Sequence, residues 1–258
     1  MLIRKLKIAF YFLWDLLTLG RGVSRVINGF EVRFPPRWSR YFQSDYEHEN
    51  VTFMKEHCIS GTTIIDIGAH MGLMSVIAAR LTGKEGRVIA FEPAPFTYRI
   101  LRRMLTINHM EDRIEAVSAA VSDWVGETQF LIDENEGSNA NSLVHRNDKQ
   151  RTATKVPVTT LDHYVFQNRI DRIHFIKIDA EGVELSVLSG AQQIIRRDRP
   201  VILLSIHPAL IKNNNQEIRD IYSKLMAWGY PPSIHGKPMT ENEFCEQPDF
   251  FDLHLVPA

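Results

Sequence analysis

Cysteine is scarce in this chain, which holds only Cys58 and Cys245 among its 258 residues. Two thiols cannot build the disulfide framework of a small secreted protein, and neither belongs to a Cys-x-x-Cys pair of the kind that binds zinc. A reducing compartment, the cytoplasm, is therefore the expected location.

An excess of one charge is also missing. The chain carries 30 Lys and Arg against 31 Asp and Glu, a net charge of −1. This balance gives no reason to expect a nucleic acid as the main partner. With 44% hydrophobic and 24% charged residues, the composition is that of an ordinary globular protein, and the length fits one large domain with an added arm.

A long apolar run is absent as well. Residues 8–19 are largely apolar, but they contain Asp15 and follow Arg4, Lys5 and Lys7. A membrane-spanning helix needs about 20 apolar residues, so this run is too short and too charged. The residues that follow it offer a poor signal-peptide cleavage site.

Two roles remain open for this N-terminal stretch. Its basic start and its aromatic residues, such as Phe10 and Trp14, fit a helix that lies peripherally at the inner membrane face. Alternatively, residues 1–20 pack on the domain or on a second subunit. We therefore divide the chain into an N-terminal helical arm with its linker, residues 1–45, and a domain, residues 46–258.

Strands and helices alternate from residue 46 onwards. Largely apolar segments such as Thr62–Ile67, Ile114–Val121 and Pro200–Ile206 predict strands, and segments such as Pro95–Ile107 and Val183–Arg196 predict helices between them. This alternation predicts an α/β fold with a doubly wound, mostly parallel sheet, in which ligands bind at the carboxyl ends of the strands. Polar residues follow the predicted strands: Asp66, Glu92, Ser122 with Asp123, Asp179 and His207.

The first of these strand ends has a glycine-rich turn that lacks the dinucleotide fingerprint. Three residues separate Gly68 from Gly72, whereas Gly-x-Gly-x-x-Gly is the pattern that holds a pyrophosphate at a helix start. Asp66 would also set a carboxylate against that pyrophosphate. S-adenosylmethionine has no phosphate and carries an ammonium and a sulfonium, so an acidic residue in the turn favours it.

A second acidic residue points to the same ligand. Glu92 follows the predicted strand Arg87–Phe91 and is itself followed by Pro93. An acidic side chain at the end of the second strand can accept both hydroxyls of a ribose. The pair Asp-x-Gly and Glu-Pro therefore indicates a nucleoside without phosphate.

These residues resemble those of the FkbM-type methyltransferases, which have the class I S-adenosylmethionine-dependent fold. The similar segments are Asp66–Ser75, Ala90–Pro95, Ala119–Asp123, Asn141–Leu143, Val158–Asp162, Ile176–Glu184 and Val187–Ala191. The resemblance covers about residues 46 to 208. It implies a seven-stranded sheet whose last strand is antiparallel, S-adenosyl-L-methionine as the cofactor, and methyl transfer usually to a hydroxyl oxygen.

The predicted cofactor site follows from the strand ends and this resemblance. Its residues are Asp66, Gly68, Ala69, His70, Gly72, Glu92, Pro93, Ser122, Asp123 and Asp179. Two positions depart from the family. His70 stands where the family often has Asn, a change that a site lined by backbone tolerates. Ser205 stands where many members have Glu, which weakens any transfer of the family's substrate chemistry and leaves His207 as the more interesting group.

Methyl transfer to a hydroxyl needs alignment of the reacting atoms and a group that takes the hydroxyl proton. The candidate catalytic residues are Asp179, Glu181 and His207. An unperturbed histidine has a pKa of about 6.5, so His207 would be largely neutral at pH 7 and able to accept a proton. Two alternatives stay open: these three residues bind a divalent ion that orients a diol, or His207 caps a helix before Pro208. Glu184 is interpreted as a surface or salt-bridge residue within a helix.

The acceptor has no readable sequence pattern. We expect a hydroxyl of a sugar, glycan or secondary metabolite, and we expect the polar segment Glu134–Gln150 to close over it. Two other functions stay open. One is a nicotinamide- or nucleotide-sugar-dependent enzyme on a similar fold, and the other is a membrane-associated protein whose fold no longer catalyses.

Overall fold

The computed structural model describes residues 10–11, 13–14, 17–133, 151–234 and 237–258. The segment Glu134–Gln150 lies outside these ranges, so its role as a lid stays a prediction. Within the described ranges, no helix combines the length and the apolar character that crossing a bilayer requires.

The secondary structure alternates as the sequence predicts. The strands are β1 (Val23–Ile27), β2 (Phe30–Phe34), β3 (Thr63–Ile67), β4 (Arg87–Phe91), β5 (Ile114–Val117), β6 (Ala120–Val121), β7 (Gly126–Asp133), β8 (Arg151–Thr159), β9 (Phe175–Ile178), β10 (Val201–Ile206), β11 (Ser233–Ile234), β12 (Lys237–Pro238) and β13 (Phe251–Leu255). The helices are α1 (His48–His57), α2 (Leu73–Thr82), α3 (Pro95–Asn108), α4 (Leu161–Gln167), α5 (Glu184–Gly190), α6 (Gln192–Asp198), α7 (Pro208–Asn213), α8 (Ile218–Ala227) and α9 (Glu241–Cys245).

The main sheet confirms the doubly wound fold. Its strand order is β13-β10-β9-β3-β4-β5, and every pairing is parallel except that of the last strand, β13, with β10. Among the described residues this sheet has six strands, so the expectation of seven strands is wrong for this part of the chain. The two residues of β11 lie beside β13 but form their hydrogen bonds with β12, and they therefore do not extend the sheet.

Apolar residues cover both faces of the main sheet. Ile64 of β3 packs in a cluster with β2 and the helices α1 to α3, whereas its neighbour Ile65 packs in a cluster with the helices α4 to α8. Successive side chains of a strand point to opposite faces, so a continuous apolar run serves both layers. Each fully buried Ile or Leu contributes about 1.5–3 kcal/mol. Buried on both faces, the sheet holds its strand ends in fixed positions.

Two predicted elements are divided in the structure. The expected strand Ile114–Val121 becomes β5 and β6, and β6 joins a separate three-stranded sheet with β8 and β7. The expected helix Val183–Arg196 breaks after Gly190, where an added Cβ would lie 2.0 Å from the carbonyl oxygen of Ser122. Neither break interrupts the apolar pattern, so the sequence gives little sign of them.

A hairpin lies within the segment that the sequence analysis assigned to a linker. β1 and β2 pair antiparallel around Asn28 and Gly29, whose φ angles are 49° and 86°. Two positive φ angles are typical of the type I′ turn that Asn-Gly favours. The Asn108 side chain hydrogen-bonds to both the N–H and the carbonyl of Arg33, at 2.9 and 2.8 Å. These bonds attach the hairpin to α3 and therefore to the main core.

Candidate functional site

The glycine-rich turn after β3 meets the turn after β9. Gly68 has a φ of 77°, and a Cβ added there would lie 1.9 Å from the carbonyl oxygen of Asp179. The backbone N–H groups of Gly68 and Ala69 donate to the carbonyl of Phe91, at 3.1 and 2.9 Å. Only glycine fits this close approach. The ends of β3, β4 and β9 are therefore held together at one edge of the sheet.

A cavity lies at this edge, and we call it the strand-end cavity. It is lined by parts of β3, β4, β6, β9 and the segments that follow them, and by Phe42, Tyr46 and Glu47 from the segment before α1. The predicted site residues that it brings together are Gly68, Ala69, His70, Glu92, Pro93, Asp179 and Glu181. The predicted residues that are not among its lining are Asp66, Gly72, Ser122, Asp123 and His207.

Glu92 is a buried carboxylate held by backbone donors. Its Oε2 accepts the N–H of His70 and its Oε1 accepts the N–H of Ala94, each at 2.9 Å. Burial raises the pKa of Glu92 to about 7 despite these hydrogen bonds. Each carboxylate oxygen has two acceptor sites, so Glu92 can still accept hydrogen bonds from two hydroxyl groups of a ligand.

His70 contributes through its backbone more than through its ring. It has a φ of 51°, which aims its N–H at Glu92. Burial lowers the pKa of its imidazole to about 4, so the ring is neutral at physiological pH. Its ring lies against Tyr41, with centroids 5.8 Å apart.

Asp66 lies behind the cavity wall. It is 2% exposed, and its Oδ2 accepts a hydrogen bond from the hydroxyl of Ser75. Its Oδ1 is 3.8 Å from Nζ of Lys177, an ion-pair distance that is too long for a hydrogen bond. Burial raises the pKa of Asp66, and Lys177 opposes that effect. The negative charge of Asp66 is therefore compensated by a lysine of the same chain, and not by a ligand.

Lys177 is a cavity residue that the sequence analysis missed. It is the register neighbour of Asp66 on the next strand, is 3% exposed, and lines the strand-end cavity. Its Nζ is 3.3 Å from Oδ2 of Asp179. The charges of Asp179 and Asp66 outweigh burial and raise the pKa of Lys177. A lysine within the apolar run Phe175–Ile178 was the signal that could have found it.

Three further predicted residues are not among those that line the cavity. Gly72 precedes α2 with a φ of 87°, and a Cβ there would meet Leu101 at 2.4 Å, so it serves packing. The N–H of Ser122 donates to Thr159, which continues the pairing of β6 with β8. Asp123 is exposed. The structure thus gives these three residues local structural contacts.

His207 lies beside the cavity and is held between two carboxylates. Its Nδ1 is 2.7 Å from Oε1 of Glu184, and its Nε2 is 3.6 Å from Oδ1 of Asp179. Burial opposes the charged imidazolium, but the hydrogen bond to Glu184 and the nearby negative charges outweigh it and raise the pKa of His207. His207 also precedes α7, but its side chain makes no capping hydrogen bond.

Glu184 was expected to be a surface or salt-bridge residue; it is not at the surface, and its salt-bridge partner is His207. Its side chain is 0% exposed, and both of its oxygens accept the N–H of Gly182, at 2.9 and 3.0 Å. These bonds and His207 fix the carboxylate in one orientation. When a buried carboxylate holds Nδ1 of a histidine, Nε2 is the ring nitrogen left for other contacts, an arrangement found in many general bases.

Glu181 completes the acidic side of the cavity. It lines the cavity and has a φ of 48°, next to the turn at Gly182. Burial, together with the charge of Glu181, raises the pKa of Tyr41. In the part of the chain that the structure describes, no three His, Cys, Asp or Glu residues are grouped to hold a metal ion.

Comparison with known proteins identifies the family of this chain. A sequence profile described as the methyltransferase FkbM domain matches residues 66–232, which is more than half of the chain. The chain belongs to the FkbM methyltransferase family. The matched region of this FkbM-family chain begins at Asp66 and contains the turn, Glu92, Asp179, Glu184 and His207.

Two relatives illustrate the similarity. The methyltransferase sdnD of Sordaria araneosa is 28% identical over 171 residues, which cover 54% of this chain and 66% of that protein. The crystal structure of an FkbM methyltransferase from Methylobacillus flagellatus KT aligns with a TM-score of 0.51 and 19% identity. That alignment covers 77% of this chain and 44% of the other. The FkbM-family chain thus spans less than half of the solved relative, and this structural likeness supports the fold.

Proposed function

We propose that this FkbM-family chain transfers a methyl group from S-adenosylmethionine to a hydroxyl oxygen of a small molecule or glycan. The observation that carries the proposal is the charge of the strand-end cavity. Its lining includes four carboxylates, Glu47, Glu92, Asp179 and Glu181, and one lysine, Lys177. An acidic lining attracts a cationic nucleoside and repels a pyrophosphate.

The residues of the cavity fit this donor. Glu92 has free acceptor sites for the ribose hydroxyls, and the backbone of Gly68–His70 forms the adjoining wall. Ala119–Val121 also line the cavity and offer small apolar side chains, which suit a flat base. Asp179 and Glu181 supply negative charge for the ammonium. When bound, the donor supplies an electrophilic methyl group on a sulfonium.

The proton of the acceptor hydroxyl needs a base, and His207 has the geometry of one. Glu184 holds Nδ1, and Nε2 is on the side of the ring near Asp179. The 3.6 Å separation from Asp179 is longer than a hydrogen bond, and such contacts often tighten only when substrate is bound. In this scheme His207 takes the proton, Glu184 orients it, and Asp179 stabilises the charge that forms.

Glu92 provides a direct test of the donor site. Glu92→Ala is expected to lower the affinity for S-adenosylhomocysteine about tenfold or more, because hydrogen bonds to a charged group contribute about 1.5–3 kcal/mol each. Isothermal titration calorimetry at pH 8 measures this change. Glu85→Ala, at an exposed turn residue, is the matched control and should bind like the wild type. Equal affinities of the two variants would contradict the donor site, and tighter wild-type binding of NAD than of S-adenosylhomocysteine would favour the nicotinamide alternative.

Glu184 is expected to set the pH dependence of the reaction. Since the negative charge of Glu184 raises the pKa of His207, the neutral base form accumulates only at higher pH. In Glu184→Gln that pKa falls, so the rising limb of kcat/KM against pH should move to lower pH. The measurement is a pH–rate profile, with Glu111→Gln, an exposed position, as control. An unshifted limb would mean that Glu184 does not act through His207.

Three further expectations stay predictions. They are the cytoplasmic location, the peripheral membrane contact or dimerisation through residues 1–20, and the absence of a nucleic-acid partner. The described part of the arm exposes Phe10, Leu13, Leu17 and Leu19. Exposed apolar residues of this kind fit either a membrane interface or a subunit contact.

A further inference from the structure

We propose that a second cavity, beside β13, is the acceptor subsite and takes one neutral, hydroxyl-rich ring of the size of a monosaccharide. We call it the side cavity. Its lining residues are Glu49, Ser233, Ile234, Phe250, Phe251, Asp252 and His254. The proposal rests on the proposed function, because it assigns the acceptor of that reaction.

The size of the side cavity limits what it can hold. Its volume is about 260 Å³, slightly below the roughly 300–1,000 Å³ typical of small-molecule pockets. One six-membered ring with its hydroxyls suits this space better than a long chain does. A longer glycan would place a single terminal residue here and leave the remainder in solvent.

Two residues contact the linings of both the side cavity and the strand-end cavity. The amide nitrogen of Asn50 donates to Oε2 of Glu47, which lines the strand-end cavity, and to Oδ2 of Asp252, at 3.1 and 2.8 Å. His207 likewise contacts one lining residue of each cavity. Its Nε2 is near Asp179, and its ring lies against Phe250 with centroids 5.0 Å apart. The candidate base therefore lies close to lining residues of both cavities.

The lining chemistry fits a sugar. Phe250 leaves 54% of its surface exposed, and an aromatic face of this kind can pack against the C–H groups of a sugar ring. Asp252 accepts hydrogen bonds from Ser205 and Asn50, at 2.6 and 2.8 Å, and retains further acceptor sites for hydroxyls. The hydroxyl of Ser233 adds a group that both donates and accepts.

The charge of the side cavity selects against anions. Glu49 and Asp252 are acidic, and among the described residues the lining includes no lysine or arginine. A phosphorylated or carboxylated sugar would meet two carboxylates without a compensating cation. A neutral ring avoids that repulsion.

Methylation of a ring in the side cavity needs no reactant besides the methyl donor. A hydroxyl oxygen of the ring forms the new O–CH₃ bond as the S–CH₃ bond of the donor breaks. The hydroxyl proton passes to Nε2 of His207 and later to solvent. The products are a methyl ether and S-adenosylhomocysteine.

Saturation-transfer NMR on the full chain with S-adenosylhomocysteine tests the subsite. The probes are neutral methyl glycosides of glucose, galactose, mannose, rhamnose and fucose, with glucose 6-phosphate as the anionic comparison. We expect signals from at least one neutral glycoside, and at least a fivefold loss in Phe250→Ala. Because Phe250 is half exposed, this variant should fold. Phe166→Ala, at a site that is 80% exposed on α4, is the matched control and should keep the signals.

The outcomes separate the subsite from the function. Binding of S-adenosylhomocysteine without any neutral glycoside signal would overturn the subsite and leave the methyltransferase proposal standing. Signals that survive Phe250→Ala, or that are stronger for glucose 6-phosphate, would also overturn it. Glycoside signals that depend on Phe250, in a chain that does not bind S-adenosylhomocysteine, would support the sugar site and contradict the proposed function.

Discussion

His207→Ala is expected to lower the rate of methyl transfer by about 10²–10⁴-fold, the usual contribution of a general base. The affinity for S-adenosylhomocysteine should remain that of the wild type, because His207 is not among the residues that line the strand-end cavity. The loss should therefore appear in kcat. Labelled S-adenosylmethionine with a hydroxyl acceptor measures turnover, and calorimetry measures the affinity.

Two variants make this expectation specific. His163→Ala removes an exposed imidazole on α4 and should leave turnover unchanged. His207→Gln keeps a polar group beside Glu184 but cannot accept the proton, so it should be as slow as His207→Ala. Intact turnover in His207→Ala would reduce the residue to a structural position before α7. A loss of donor affinity in that variant would indicate that it shapes the cavity.

The parts of the fold that could be predicted are those with strong local periodicity. β3, β4 and β10 are short apolar runs bounded by turns, and α3 has regular helical spacing. The bounds of β4 match the prediction, and those of the other three differ from it by one residue at one end. The position of the functional site at the carboxyl ends of the strands can be predicted as well. Because a parallel sheet collects its carboxyl ends at one edge, the sequence alone predicts that Glu92 and Asp179 share one site.

The missed residues depend on side-chain direction across long separations. The position of Glu184 in a helix predicts a surface or salt-bridge residue but not the partner, because His207 is 23 positions away. Lys177 was hidden in an apolar run because its partner, Asp66, is on a different strand. In both cases the polar partner that permits burial is remote in sequence.

Ser205 shows how a local difference can be misjudged for the same reason. Its hydroxyl donates to Oδ1 of Asp252, its register neighbour on the antiparallel β13, at 2.6 Å. A carboxylate therefore lies beside this strand end although the residue there is serine. The sequence separation of 47 positions concealed it. The hairpin of β1 and β2 differs from these cases, since Asn28-Gly29 is a strong local signal for a two-residue hairpin turn.

Lys177→Met is expected to destabilise the protein by about 3–5 kcal/mol, the typical cost of leaving one partner of a buried ion pair without the other. Asp66 is 2% exposed, and its Oδ1 accepts no hydrogen bond within the described residues. Lys177 is therefore the main compensation for its charge. Urea unfolding at pH 7 measures the loss, and Lys84→Met, at an exposed turn lysine, is the matched control.

The pH dependence of that loss identifies its cause. Burial already raises the pKa of Asp66, and without Lys177 that pKa should rise further above its value in the unfolded chain. The cost of the variant is then present at neutral and high pH, and it decreases as the pH falls and Asp66 takes up a proton. Adding Asp66→Asn to Lys177→Met should recover part of the stability at pH 7 and little at pH 5. A loss that is the same at both pH values, and unaffected by Asp66→Asn, would show that Lys177 stabilises the fold through packing of its aliphatic stem and not through its charge.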